Sequence, residues 1–405
     1  MRILVVSQYF WPESFRINEL IDALPAAGCE VTVLTGQPNY PEGKIFEGYK
    51  ALSFRKEVHN GYSIIRVPMM QRNKAKAYQL ILNYLSFVIS TSFFAPWLLR
   101  GERFDVIFVY APSPILQVIP AIILKKIKRV PLVTWVGDLW PQSLVSTGFV
   151  ANRFLLKIIE QFVRFIYRQN DLLLVQSRPF IGPVKKLAGA VPVEYFPNPG
   201  EAMFADKSSM LATPVYKLKK GFNIVFAGNL GSVQAIEMIF KAAMILQEEP
   251  DINIFLFGNG SMTEWLKTEI SAKELKNLVL AGRFPTSAMP AIFAQADVLL
   301  VSLIKDETMS LTVPAKVQTY MAAGKPIIAA LDGEGAKIVT DAGAGVATPA
   351  EDAVALANVI LALSRLPQSD LTKMGDAGYL YYKKNFDSGM LTDRFIKRLS
   401  TIIKI

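Results

Sequence analysis

The chain has 405 residues, 51% hydrophobic and 19% charged, so two to three domains with sizeable cores are expected and whole-chain disorder is excluded. One cysteine, Cys29, and one histidine, His59, exclude an intrachain disulfide and a multi-histidine metal site, and a reducing cytoplasm fits. The net charge of +10 lies wholly in residues 1–199, whereas residues 200–405 are balanced; the first half either faces an anionic membrane or nucleic acid, or is a soluble basic face.

The opening MRILVVSQYFWPES has an apolar run too short for a secretory leader and no small-residue cleavage site. Short β-branched runs then recur at Arg2–Ser7, Val31–Thr35, Val106–Tyr110, Leu132–Val136 and Leu172–Val175. His59 sits in His-Asn-Gly, a turn between two short strands, and is read as a surface turn residue rather than a triad base. From Ala77 to Leu99 no residue is charged, which is long enough for a membrane span. Gln79, Asn83, Ser86 and Ser90 form a polar stripe along it, however, so it reads as a helix packed on the sheet or lying in the membrane interface. Basic clusters surround it: Arg72, Lys74 and Lys76; Lys125, Lys126, Lys128 and Arg129; and the stripe Arg153, Lys157, Arg164 and Arg168, interrupted by Glu160. Peripheral attachment to anionic membrane is the expectation they raise.

The second half repeats the pattern, with runs at Asn223–Ala227, Asn253–Phe257, Val298–Val301 and Pro326–Ala329. Near-continuous apolar runs alternating with amphipathic segments predict doubly wound parallel sheets. The expected division is residues 1–199, a linker at 200–220, a second domain at 221–387, and a final helix at 388–405 that returns to the first.

Four segments could carry chemistry. In FAGNLGSVQAIE a strand ends before Gly228, and Asn229 and Gly231 lead into a helix expected to open at Ser232 or Val233. Such a start is an anion site, or an ordinary βα turn. In LFGNGSMTEWL, Gly258 and Gly260 follow a strand, and Ser261 with Glu264 reads as a capping box. In LTVPAKVQTYMAAGKP, Pro314 opens a helix with Lys316 in its first turn. A cation there opposes the helix dipole unless it meets a phosphate. In VTWVGDLWPQSL, Asp138 follows a strand end, where parallel sheets bind ligands, and Trp140 offers an apolar or stacking wall.

Together these motifs resemble bacterial group 1 (family 4) glycosyltransferases. The similarity spans nearly the whole chain, through YFWPESFRINELIDALPAAGCEVTVLTGQPNYPEG, GDLWPQS, PNPGE, FAGNLGSVQAIE and PAKVQTYMAAGKPIIAALDGEGAKIV. Within the family it is most similar to the N-acetyl-L-fucosamine transferases of O-antigen assembly and to colanic acid transferases. The resemblance implies an α/β, GT-B type fold of two facing Rossmann-like domains with a cleft between them. It also implies transfer of a sugar from a nucleotide diphosphate sugar, such as a UDP-sugar, to a polyprenyl-diphosphate-linked saccharide at the inner membrane surface. Retention of configuration is the family's usual outcome, with no cofactor; no metal is required by the visible residues.

The carry-over is partial. The family's acidic pair would fall at Leu311 and Thr319, so Glu307 or Glu334 is the candidate for ribose contact. Asn229 stands where an arginine is usual, and Gly137 where a histidine is. Diphosphate charge then falls to Lys316 and the loop of Gly228 and Gly231, with Gly258 and Gly260 beside them. Arg16 could hold a phosphate where the family carries a glycine pair, and Asp138 would orient the reacting sugar or the acceptor hydroxyl. A nucleotide-sugar epimerase of the same architecture and a non-catalytic nucleotide-sugar-binding subunit are the other readings. No aromatic-basic motif points to nucleic acid.

Overall fold

A computed structural model describes residues 1–73, 77–146, 148–150 and 152–404, so Lys74 and Lys76 of the first basic cluster lie outside the described residues. The chain divides into two compact units, Met1–Pro199 with Ser388–Ile405, and Gly200–Asp387.

The first unit is built on strands β1 (Arg2–Ser7), β2 (Glu30–Thr35), β3 (Arg55–His59), β4 (Tyr62–Arg66), β5 (Val106–Ala111), β6 (Leu132–Val136), β7 (Leu172–Val175) and β8 (Val193–Tyr195). Their order is β3-β4-β2-β1-β5-β6-β7-β8, parallel except for the β3–β4 hairpin. Asn60 and Gly61 take φ of 43° and 84° to turn that hairpin, as a two-residue loop between right-twisted strands requires. His59 ends β3, but its ring is no free surface group. It stacks on Trp11 at 4.0 Å, and its Nε2 lies 3.8 Å from Asp22.

The apolar runs form strands because both sheet faces are covered. Ile3, Val5, Val33, Phe108 and Val133 meet the helices Ile17–Ala23 and Ser388–Ile403, with the Phe395 ring 4.7 Å from that of Phe108. The last helix is thus part of the first unit, and Arg398 ties it to Glu194 of β8 at 2.6 Å. Right-handed crossovers put the helix after β5 on the opposite face, because β1 to β2 and β5 to β6 step in opposite directions. There the helix Ala77–Leu98 packs beside Ile119–Lys128. The basic cluster at the end of the latter is partly spent on structure. Lys125 pairs with Asp171 at 2.7 Å, and Lys128 donates to the carbonyls of Leu99 and Glu102 at 2.6 and 2.7 Å.

Arg66 ends β4 with its side chain fully buried. Its Nε donates to Glu57 of β3 at 2.6 Å, and its terminal nitrogens donate to the carbonyls of Gly36 and Trp11. Arg66→Met leaves two carbonyls and one oxygen of Glu57 without their donor, while Arg55 stays 2.9 Å from the other oxygen. It is expected to cost roughly 3–5 kcal/mol in a urea unfolding series, and adding Glu57→Gln is expected to recover part of that loss.

The second unit carries β9 (Phe222–Ala227), β10 (Ile252–Phe257), β11 (Leu278–Gly282), β12 (Val298–Ser302), β13 (Ile327–Ala330) and β14 (Gly345–Thr348), all parallel, in the order β11-β10-β9-β12-β13-β14. Strand order reverses between β9 and β12, and in the first unit between β1 and β5. The carboxyl ends at those reversals are where open α/β sheets bind ligands.

Residues 200–220 are not a free linker. Phe204 is buried and stacks on Phe293 at 5.3 Å, and Tyr216 meets the rings of Phe255 and Phe257 edge-on. The segment's aromatic side chains, hidden among its Ser and Lys residues, pull it into the second unit's core.

Candidate functional site

In the second unit the loop after β9 and the loop after β10 lie backbone against backbone. Gly228 N–H donates to the Phe257 carbonyl at 2.8 Å, and Leu230 N–H to the Asn259 carbonyl at 3.0 Å. A Cβ on Gly258 would stand 1.8 Å from the Gly228 carbonyl oxygen, and one on Gly260 2.4 Å from that of Leu230. The glycines therefore let two loops touch rather than all facing a ligand. The N–H of Gly258 is used by the Gly282 carbonyl, and that of Gly260 by Thr263 Oγ1 and Asn259 Oδ1. The expected Ser261–Glu264 capping box is absent, because the helix starts one residue later, at Thr263, and Met262 precedes it without a side-chain cap.

The helix after Gly231 also begins later than the sequence suggests. Ser232–Gln234 form a single 3-10 turn, Ala235 takes φ of 49°, and the α-helix runs Ile236–Ile245. This detour leaves the amides of Gly231, Ser232 and Val233 without an acceptor among the described residues. Asn229 turns its amide to Gln234 Oε1 at 3.1 Å, across the same turn.

Lys316 lies in the first turn of the helix Ala315–Ala322, with Pro314 as the N-cap. Its ammonium stands 3.7 Å from the centre of the Phe226 ring. A Cβ on Gly228 would be 2.6 Å from Lys316 Cε and 2.9 Å from Nζ, so only glycine leaves room for this side chain. Among the described residues no carboxylate pairs with the ammonium, and burial pushes it down to about 7. Tyr320, one turn further on, is buried, and its hydroxyl bonds both the N–H and the carbonyl of Ala227, at 3.1 and 3.4 Å. That pair of bonds fixes the helix to the end of β9 and so sets Lys316 over Gly228.

Glu307 is exposed in the first turn of Glu307–Ser310, and Glu334 opens the helix Glu334–Asp341 after β13. Both belong to loops at the same carboxyl edge of the sheet, but neither pairs with Lys316. Thr319, at one position of the missing acidic pair, is buried and donates to the Ala315 carbonyl at 3.1 Å.

In the first unit Asp138 follows β6. Burial raises its carboxyl above the usual range, and the neighbouring polar groups of Ser143, Ser113 and Trp140 oppose that rise. Trp140, expected as an apolar or stacking wall, donates its indole N–H to Ser113 Oγ at 3.4 Å, beside Asp138. Arg16 directly precedes the helix Ile17–Ala23 and lines a small recess with Tyr110, Trp135, Phe196 and Asn198. Glu13, in the same loop, is buried and accepts from the amides of Phe10, Asn39 and Tyr40 at 3.1, 2.7 and 2.7 Å. It clamps the loop after β1 to the loop after β2.

One group here escaped sequence reasoning. Tyr9 stacks on Phe15 at 5.4 Å, and Phe15 meets Tyr40 at 5.1 Å. The Arg72 guanidinium lies over Tyr9 and Tyr40, at 5.7 and 5.0 Å. Tyr84 bonds Tyr9 and lies within electrostatic reach of both Arg72 and Asp138. These residues come from three separate segments, and no local pattern joins them.

Residues 14–199 match the model of the glycosyl transferase 4-like domain, and residues 221–365 that of glycosyl transferases group 1. WbjE of Pseudomonas aeruginosa, assigned as a glycosyltransferase, is 26% identical over 344 residues, 82% of each chain. WcaI of Escherichia coli (strain K12), assigned as a colanic acid biosynthesis glycosyl transferase, is 24% identical over 346 residues, 80% of this chain and 82% of that one. Among solved structures, sucrose-phosphate synthase from Thermosynechococcus elongatus shares the fold with a TM-score of 0.75 at 17% identity, covering 100% of this chain and 99% of that one. Anabaena Alr3699/HepE, solved in complex with UDP, does so with a TM-score of 0.68 at 15% identity, covering 99% and 100%.

Proposed function

From the chain's place among the group 1 glycosyltransferases of GT-B fold, we propose that it moves a sugar from a nucleoside diphosphate donor to a polyprenyl-diphosphate-linked acceptor in O-antigen or exopolysaccharide assembly. The assignment of WcaI to colanic acid biosynthesis supports the pathway class, and the UDP bound by Alr3699/HepE supports a nucleotide donor.

The observation that carries the reading is Lys316: a desolvated ammonium over the end of β9 that no carboxylate pairs among the described residues, in the unit whose next loop holds amides without an acceptor among them. A bound diphosphate would supply the missing charge. As the sugar–phosphate bond breaks, negative charge grows on the leaving diphosphate, and fixed donors stabilise it without reorganising. Lys316 acts as that cation, with the amides of Gly231, Ser232 and Val233 as its partners. This neutralisation needs no metal and no strong base, which fits transfer with retention. Asp138, at the end of β6 beside Ser113, Trp140 and Ser143, orients the acceptor hydroxyl. The reaction takes place at the inner face of the cytoplasmic membrane.

The test is a screen of nucleotide sugars against a lipid-diphosphate acceptor, read by mass spectrometry. A glycosylated acceptor is expected with at least one donor. A new nucleotide sugar formed without acceptor would instead show the epimerase reading to be right.

A further inference from the structure

The helix Ala77–Leu98 carries apolar side chains on its outer side as well as its inner one. Its inner side is mixed: Leu80, Phe87, Val88 and Ala95 are buried with Asn83 and Thr91, and Asn83 Oδ1 accepts from Gln8 Nε2 at 2.8 Å and from the Tyr9 hydroxyl at 3.1 Å. Its apolar stripe faces out: Tyr78, Ile81, Leu85, Ile89, Phe93 and Trp97 recur at three- and four-residue spacing, with Ile89 66% and Phe93 75% exposed. A surface helix of a soluble domain keeps its outer face polar, and a continuous apolar strip about 30 Å long is far more than scattered surface hydrophobics.

A second helix presents the same chemistry. Arg153–Arg168 exposes Phe154, Ile158, Phe162 and Phe165 on one stripe. At 100° per residue, Arg153, Lys157, Arg164 and Arg168 form the stripe directly beside it. Both helices pack against the turn Ile115–Val118, so they are neighbours on one side of the first unit.

We infer that these two helices form a monotopic docking face for an anionic phospholipid bilayer, with the apolar stripes seated in the acyl boundary and the basic stripe on the headgroups. This rests on the reading of a membrane-borne acceptor and gives it a surface. Three features choose a bilayer over a protein partner. The excess positive charge of the molecule lies in this half of the chain, where anionic headgroups would meet it. The long helix carries no charged residue from Tyr78 to Leu98. Tyr78 and Trp97 place amphipathic rings on the exposed stripe, of the kind that sit at headgroup level. The helix does not cross the bilayer, because Asn83 holds its inner side to the loop after β1.

The test is co-flotation of the full chain with phosphatidylglycerol/phosphatidylethanolamine vesicles, with phosphatidylcholine vesicles as control. Binding is expected to the anionic vesicles at low salt, with release at high salt. The Ile89→Ser/Phe93→Ser and Arg153→Glu/Lys157→Glu pairs are each expected to lower the bound fraction about tenfold or more, with unchanged melting temperatures. Parent protein that stays off anionic vesicles, or variants that float like the parent, would overturn the inference. So would a dimer that the apolar pair converts to monomer without changing flotation, since a second copy would then cover the face. Transfer to a short-chain, water-soluble lipid-diphosphate analogue separates this inference from the acceptor reading. The variants are expected to retain that transfer, whereas flotation without any transfer by the parent would sink the acceptor reading and leave the face standing.

Discussion

Lys316→Ala is expected to lower turnover about 10²–10³-fold, the effect of removing one preorganised donor to developing charge. The folded state is expected to gain stability, on the order of 1–3 kcal/mol near neutral pH, because the native ammonium is desolvated without a counter-charge. The sign follows from linkage. The ammonium's value falls from 10.5 in the unfolded chain to about 7 in the fold, so this group favours the fold above pH 10.5 and that contribution is lost as pH falls through 7. Donor binding runs the other way. A diphosphate binds the protonated form and restores its charge, so binding takes up a proton. Donor affinity is therefore flat below pH 7 and weakens about tenfold per pH unit above it, until the value in the complex is reached. Titration calorimetry in two buffers of different ionisation heat measures that proton, and Lys316→Ala abolishes it. A purified variant with parental turnover would remove Lys316 from the chemistry.

Much of this site was legible because it is local. Lys316 broke a rule of helix electrostatics, and a broken local rule marks function. The central strands were legible for the same reason: Leu172–Val175 is wholly apolar and Leu132–Val136 is so except for Thr134, because both faces are covered. The edge strands were harder. Val193–Tyr195 is short and half-buried, and Gly345–Thr348 carries a glycine at its start, so neither shows a strand pattern. What stayed hidden depends on segments distant in sequence. The glycines in 228–260 read as room for a ligand, and only three dimensions show that Gly258 and Gly260 make room for another loop. Trp140 read as a wall, and only the fold brings Ser113, from the loop after β5, within 3.4 Å of its indole N–H. The stripe of Gln79, Asn83, Ser86 and Ser90 was visible, yet which side of the helix faces the sheet was not, since either side of a weakly amphipathic helix could be covered.

Gly258→Ala is expected to be the most destabilising single methyl in the second unit. The residue holds φ of 140°, which an L side chain rarely adopts, and the new Cβ would sit 1.8 Å from the Gly228 carbonyl oxygen. Neither neighbour is a flexible side-chain tip, so backbone has to move. A loss on the order of 3–5 kcal/mol is expected in denaturant unfolding of that unit. Gly182→Ala is the contrast: it lies in the helix Ile181–Ala188 with nothing within 4 Å of its new methyl, and a gain of about 0.5–1 kcal/mol is expected. The two substitutions add the same atom, so the difference reads the backbone strain at residue 258 and the contact between the loops together. That contact also bears on binding. The peptide displaced by the Gly258 methyl is the one over which Lys316 stands, so in whatever Gly258→Ala protein remains folded, nucleotide affinity is expected to fall together with stability. Folded Gly258→Ala protein that binds nucleotide like the parent would show that the loop contact does not set the position of the Lys316 ammonium.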